Sequence, residues 1–274
     1  MDGSAGRRGN KRGGKRSGGA RRNDAAQRRQ ADGGPTKERL QKVMAAAGVA
    51  SRRNCEELIL EGAVRVNREV VDTLPAFVDP GRDVITVNGR RIHAAQPVYY
   101  LLNKPKGVIC TNSDPMGRKK AIDIVESEER IFCVGRLDTD TTGAIILTND
   151  PELTNRLTHP RYELAKTYEV RIAGRIEGDA LERLKKGIWL SEGKTNKAAV
   201  KVLRRTREES IIEITIKQGL NRQIRRSVAR IGFKVKGLKR VKIGNISVKG
   251  LAVGAYRKLT ISQVEYLKKA TGMV

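Results

Sequence analysis

The stretch VGRLDTDTTGAIILTND, Val134–Asp150, sets two acids, Asp138 and Asp140, in a turn between Gly135 and Gly143 and then runs into an apolar segment. The chain has 274 residues with 56 Lys and Arg against 30 Asp and Glu, a formal net charge of +26. In so basic a chain, two carboxylates at the mouth of a strand need a reason. Four readings come from the residues. Asp138, Asp140, Thr142 and Gly143 fall at positions 1, 3, 5 and 6 of a calcium loop, but position 12 is Asn149 instead of a bidentate Glu, and the intervening AIILT reads as a strand. Two carboxylates could form a glycoside-cleaving pair, with their separation unset by a turn. They could cap backbone N–H groups. Or one could be a nucleophilic carboxylate facing a polyanion.

Charge narrows the partner. An excess of this size points to nucleic acid before an anionic membrane surface, because no basic amphipathic helix with a broad aromatic face is visible. No apolar run approaches the ~20 residues of a membrane span, and no apolar signal core is seen near Met1. The expected location is the cytoplasm. Cys55, Cys110 and Cys133, three in number and far apart, make no disulfide framework or paired metal motif, and the two histidines, His93 and His159, add no ligand cluster. No metal or cofactor is expected.

Working outward, residues 1–36 hold ten Lys or Arg, three Asp and nine Gly. Such a composition cannot bury enough apolar surface to fold, so a disordered basic arm that raises affinity for phosphates is expected. From Lys37 the pattern changes. Leu40, Val43, Met44 and Ala47 make one helical stripe with Arg39 and Lys42 beside it, Gly48 ends it, and Ser51 can cap a second helix closed by Gly62. Alternating segments follow, and Asn88-Gly89 suits a tight hairpin. Arg52 and Arg53 lie in the first turn of the second helix, against the helix dipole, which is reasonable where a phosphate docks.

Beyond a link at His93–Pro97 the chain alternates short strands and helices. VYYLLN, RIFCV, AIILT, KTYEVRI, AAVKVL and IIEITIK read as strands; DPELTNRLT, GDALERLKKG and NRQIRRSVARIG read as helices. On the last, Arg222, Arg225 and Arg226 fall on one face and Ile224, Val228 and Ile231 on the other.

ERLQKVMAAAGVASRRNCEELILEGAVRVN resembles the S4 RNA-binding domain, which implies that Arg39, Lys42, Arg52, Arg53 and Arg65 meet folded RNA. VGRLDTDTTGAIILTND, with YYLLNKPKGVICTNSDP, LTNRLTHPRYELAKTYEVRI and KQGLNRQIRRSVARIG in the same order, resembles the ribosomal RNA pseudouridine synthases, leaning through NKPKGVICTNSDP to those of the large (23S) subunit RNA. The resemblance implies an α+β protein: a basic tail over 1–36, an S4-like domain over 37–96, and a catalytic domain over 97–274 with a mixed, mainly antiparallel sheet flanked by helices. It implies uridine isomerisation without cofactor or metal, by a monomer acting on ribosomal RNA. Asp138 would be the catalytic carboxylate, attacking ribose C1′ or taking a ribose proton. Arg225 would pair with it, since a nearby cation favours a charged carboxylate. Tyr168 would stack on the extruded base, Arg136 would hold a phosphate or fill the gap left by the flipped uridine, and Arg222 would bind RNA. Asp140 aligns with no catalytic role and reads as a turn residue. Gln218, where the family often has Glu, and Ser227, where Met is common, depart from the pattern. The competing reading is a ribosome-assembly factor that binds RNA through the same fold without chemistry.

Overall fold

The structure is a computed structural model and describes Met1 and residues 37–273. The basic arm expected over residues 1–36 therefore lies outside the described residues, apart from Met1.

Two short helices, α1 (Leu40–Ala46) and α2 (Arg52–Leu60), open the first module. They share a core with an antiparallel sheet of β2 (Val64–Val66), β3 (Glu69–Val71), β5 (Ile85–Val87) and β6 (Arg90–Arg91), in the order β3-β2-β5-β6. β1 (Glu38–Arg39) pairs with β4 (Phe77–Val78). The apolar stripe explains the helices: Leu40, Met44, Cys55 and Ile59 are fully buried together, each large aliphatic side chain contributing roughly 1.5–3 kcal/mol on burial. Ser51 Oγ accepts from Asn54 N at 3.1 Å and starts α2. Asn88 and Gly89 both have positive φ, 49° and 75°, the conformation of the primed two-residue turn that joins β5 to β6. The sequence reading puts Arg39 on the first helix; in the structure it ends β1 and precedes α1, because its backbone pairs with Phe77.

The larger module is built on one sheet. Its strands are β7 (Tyr99–Lys104), β8 (Phe132–Cys133), β9 (Thr142–Thr148), β10 (Lys166–Ala173), β13 (Ala199–Arg205), β14 (Glu209–Ile216), β15 (Val235–Ile243), β16 (Ile246–Ser247) and β17 (Tyr256–Lys258). The order is β13-β14-β10-β15-β9-β7-β17, with β8 added on β9 and β16 on β15. Among the described residues the β9–β15 pair is the one parallel pairing in this sheet, so the sheet is mixed and mainly antiparallel. β11 (Trp189–Leu190) and β12 (Gly193–Lys194) form a separate hairpin.

Alternating side chains cover both faces. Tyr100, Leu102, Ile145, Leu147, Tyr168, Val170 and Ile172 point to one face, where α4 (Gly178–Lys186) adds Leu181 and Leu184, and α5 (Gln223–Arg230) adds Ile224 and Val228. Leu101, Ala144 and Ile146 point to the other, covered by α3 (Pro151–Thr158) through Leu153 and Leu157, and by α6 (Ile261–Ala270) through Leu267. Asp150 caps α3, its Oδ1 accepting from Leu153 N at 2.9 Å, with Pro151 in the first turn. The parallel pairing sets Gly143 beside Arg240. Gly143 has φ +106°, and a Cβ there would lie 2.2 Å from the Arg240 carbonyl oxygen. The strand that follows the acidic turn can reach β15 only through a glycine.

β15 and α6 are absent from the sequence reading. β15 is rich in Lys, Arg and Gly, yet it forms the middle of the sheet between β10 and β9. The acids, the tyrosine and the arginine-rich helix thus converge on one sheet face.

Candidate active site

The acidic stretch leads into β9, an interior strand of the sheet, as a loop held by buried residues and backbone hydrogen bonds. Val134 and Leu137 are buried apolar anchors. Gly135 turns with φ +71°. Thr141 N donates to Asp138 O at 3.0 Å, closing a turn over 138–141, and Gly107 N donates to Thr139 O at 2.8 Å. This turn supports the backbone around Asp138 while the side chain stays about one-third exposed. It faces a cleft of about 550 Å³ lined by Arg136, Asp138, Tyr168 and Arg222, a size suited to a small ligand or a single nucleoside.

The arginines divide differently from expectation. Arg222 Nη1 lies 3.1 Å from Asp138 Oδ2 and 3.5 Å from Asp140 Oδ1. Arg225 does not pair with Asp138. Its Nη2 lies 3.0 Å from Asp140 Oδ2 and donates to Asp140 O at 3.1 Å and Thr141 Oγ1 at 3.4 Å. Arg226 turns away to Glu192, with Nη1 and Nη2 at 2.8 and 2.6 Å from its two carboxylate oxygens, and to Ser191 Oγ at 2.7 Å. The reason is where the helix begins. α5 starts at Gln223, and Arg222 is its cap residue, with a left-handed φ of 46° that aims it into the cleft. Arg225 and Arg226 sit about 100° apart around the helix and diverge. Asp140 is therefore more than a turn residue: it anchors Arg225 and helps place Arg222.

Tyr168 is 9% exposed, packs in the main core and also lines the cleft, so the packing role and the cleft role coexist in one ring. Arg136 is exposed at the rim. Gln218 lines the same cleft, and its Oε1 accepts from Asn196 N. Ser227 is buried in α5.

Lys104 was not singled out in the sequence. It is fully buried, with Nζ donating to Val108 O at 2.6 Å and Pro105 O at 3.0 Å. Burial pulls its pKa below the usual lysine value, while Cys110, Asp140, Cys133 and Asp138 oppose that pull. It closes the loop after β7 on itself, and that loop meets the one carrying Asp138 through Gly107 N and Thr139 O. The signal was a lysine ending the apolar run YYLLN. Cys110 and Cys133, separated in the sequence, come close enough to interact; the interaction lowers the pKa of Cys110 and raises that of Cys133. Leu137 N also donates to Cys110 Sγ at 3.5 Å, one residue before Asp138.

The S4-like residues are elsewhere. Arg39, Lys42, Arg52, Arg53 and Arg65 are exposed on the first module. Lys42 pairs with Glu38 at 2.6 Å. Among the described residues, no ion pair with a carboxylate engages the other four. No helix of the described residues is long and apolar enough to cross a membrane.

The family model described as RNA pseudouridylate synthase matches residues 98–230, and that of the S4 domain matches 38–84. The chain is 47% identical over 234 residues to the ribosomal large subunit pseudouridine synthase B of Bacillus subtilis, covering 84% of this chain and 96% of that one. It is 40% identical over 237 residues to an uncharacterized RNA pseudouridine synthase of Aquifex aeolicus, covering 86% and 95%. A crystal structure of a pseudouridylate synthase superposes with a TM-score of 0.61 at 31% identity, over 84% of this chain and 99% of that one. With that identity over almost the whole length of its relatives, and with both modules matched, the chain belongs to the RNA pseudouridine synthases that carry an N-terminal S4 domain.

Proposed function

We propose that this enzyme converts a uridine of large-subunit ribosomal RNA to pseudouridine, with Asp138 as the catalytic carboxylate. The substrate class rests on the relatives: two similar chains, from Bacillus subtilis and Pasteurella multocida, are named ribosomal large subunit pseudouridine synthase B. The chemistry rests on one observation: Asp138, with Arg222 at 3.1 Å, shares a nucleoside-sized cleft with Tyr168.

Isomerisation breaks the C1′–N1 bond and joins C1′ to C5. The sugar becomes electron-deficient at C1′, and a carboxylate beside it answers that charge, by attack on C1′ or by taking a ribose proton. The uridine must leave its stack first, which costs a few kcal/mol. Tyr168 offers a face for the extruded base, and Arg136, Arg222 and the S4 cations hold the surrounding phosphates. Arg222, rather than Arg225, orients Asp138.

The test is to map pseudouridine in ribosomal RNA from cells lacking the protein, complemented by wild type or by Asp138→Asn. The expected result is one large-subunit site restored by wild type and missing with the variant, while the variant still binds RNA. A variant that restores the site overturns the role of Asp138, and a restored site confined to small-subunit RNA overturns the substrate.

A further inference from the structure

Behind Asp138 the cleft contains two cations that the pairing network leaves over. Arg240 is 4% exposed. Its Nε donates to Ala144 O at 2.6 Å. Its Nη2 is buried with no hydrogen-bond partner among the described residues. Lys166 lines the same cleft, its Nζ donating, among the described residues, only to Leu164 O two residues back, at 3.2 Å. Neither forms an ion pair with a carboxylate among the described residues, whereas Arg222 and Arg225 are paired with Asp138 and Asp140. Two like charges held close in a partly dry place disfavour each other; burial, with Arg240 adding to it, brings Lys166 down to about 8. A fold keeps such an arrangement where an anion is to arrive.

The strand register says which anion. Lys166 and Tyr168 are two apart on β10 and share a face, and Tyr168 stands directly opposite Arg240 on β15. A base stacked on Tyr168 therefore has its edge against these cations. Arg136 is exposed at the rim and suits a backbone phosphate, while Arg240 is buried at 4% exposure and suits the flat base. When C1′–N1 breaks, its electron pair remains on N1 and is shared with O2 and O4, so the departing uracil is an anion. We propose that Lys166 and Arg240 are catalytic cations that stabilise the uracil anion between bond cleavage and bond formation. No proton moves on either. The anion's C5 then forms the new bond to C1′, expelling the Asp138 carboxylate where it had attacked C1′, or as the ribose recovers its proton where Asp138 had taken one. C5 then gives its proton to water and N1 takes one up from water, so that the product is neutral. Fixed cations in a water-poor site suit this task, because they need no reorganisation as charge develops.

This rests on the isomerase reading, and the experiment separates the two. Single-turnover loss of the N-glycosidic linkage is followed by nuclease digestion and mass spectrometry. The large-subunit RNA carries uridine or 5-fluorouridine at the target, the fluorinated uracil being the weaker base and the better leaving group. Lys166→Met is expected to lower the rate on uridine about 100-fold, a size typical of losing one such group. The loss on 5-fluorouridine is expected to be at least tenfold smaller, with RNA affinity within about twofold. Lys166→Arg should restore most of the rate. Arg240→Lys, which keeps the charge on a buried site, should show the same substrate dependence with a smaller loss; its thermal unfolding serves as the check on folding. Equal losses on both substrates, or a loss of RNA affinity in place of rate, would overturn the proposal. If the wild-type enzyme fails to act on uridine in that RNA, the reading of the substrate fails instead.

Discussion

The two modules use the same residue types in opposite ways. On the S4 module, Arg39, Arg52, Arg53 and Arg65 stand in solvent with no carboxylate partner among the described residues, on short helices and strands whose inner faces are filled by Leu40, Met44, Cys55 and Ile59. At the cleft, Arg222 is tied to Asp138 and Asp140 within 3.5 Å, and beside it Arg225 is tied to Asp140 at 3.0 Å. A free surface cation attracts phosphate at long range, is weakened by salt and tolerates movement. A paired one gives up that attraction and fixes geometry. Exposed pairs of this kind add only about 0–1 kcal/mol to stability, so what the Asp138–Arg222 pair contributes is orientation. The basic balance of the chain is thus of two kinds: binding charge outside, and positioning charge around the acids.

The sharpest way to break this comparison is at the acid itself. Asp138→Asn should lower the single-turnover rate by more than about 10⁴-fold, the scale of losing a nucleophilic side chain, with RNA affinity and its salt dependence unchanged. A large fall in affinity would mean that the acid helps shape the binding surface, and the division would fail. Arg222→Gln should come next. It frees Asp138 to move, and a displacement near 1 Å can cost about 10²-fold in rate. The rate at saturating RNA should fall by roughly one to two decades while the melting temperature holds. Arg225→Gln should do the reverse. Its side chain is only 14% exposed and holds Asp140 and Thr141. Loss of these bonds should cost about 1–2 kcal/mol, seen as a melting temperature lower by a few degrees, with less than a tenfold change in rate. If the two variants exchange phenotypes, Arg225 is the partner of Asp138 when RNA is bound.

Much of this was legible in the sequence, for physical reasons. Apolar periodicity and capping residues gave α1, α2 and α3 because they are local signals: Ser51 and Asp150 hydrogen-bond to N–H groups three residues on. The acidic turn stood out against the charge of the chain. β15 did not, since three lysines, an arginine and a glycine hide its alternation, and burial on both sides by β10 and β9 is a tertiary fact. Arg225 was named as the partner of Asp138 by resemblance, whereas the structure sets Arg222 on Asp138 and Arg225 on Asp140, a difference that no local pattern in the sequence announces. The left-handed backbone at Arg222 decides which arginine enters the cleft. Lys104 and Arg240 were silent for a related reason. A cation inside a sheet is recognised only by which carbonyls and clefts the register sets beside it.

The smallest expected effect lies on the other module. Arg52 and Arg53 begin α2, where the first N–H groups of the helix and two guanidinium groups all favour an anion. If each neutralises one phosphate, the double variant Arg52→Gln/Arg53→Gln removes two counterion-releasing contacts. The plot of log affinity against log salt should flatten by about 1.5, at roughly 0.7–0.9 per contact. Affinity should fall several-fold at low salt and less at high salt. The rate at saturating RNA should remain that of wild type, because neither residue touches the cleft. A change in that rate would mean that the S4 module sets the geometry of the bound uridine as well as holding the RNA. Free and paired cations would then be parts of one positioning device.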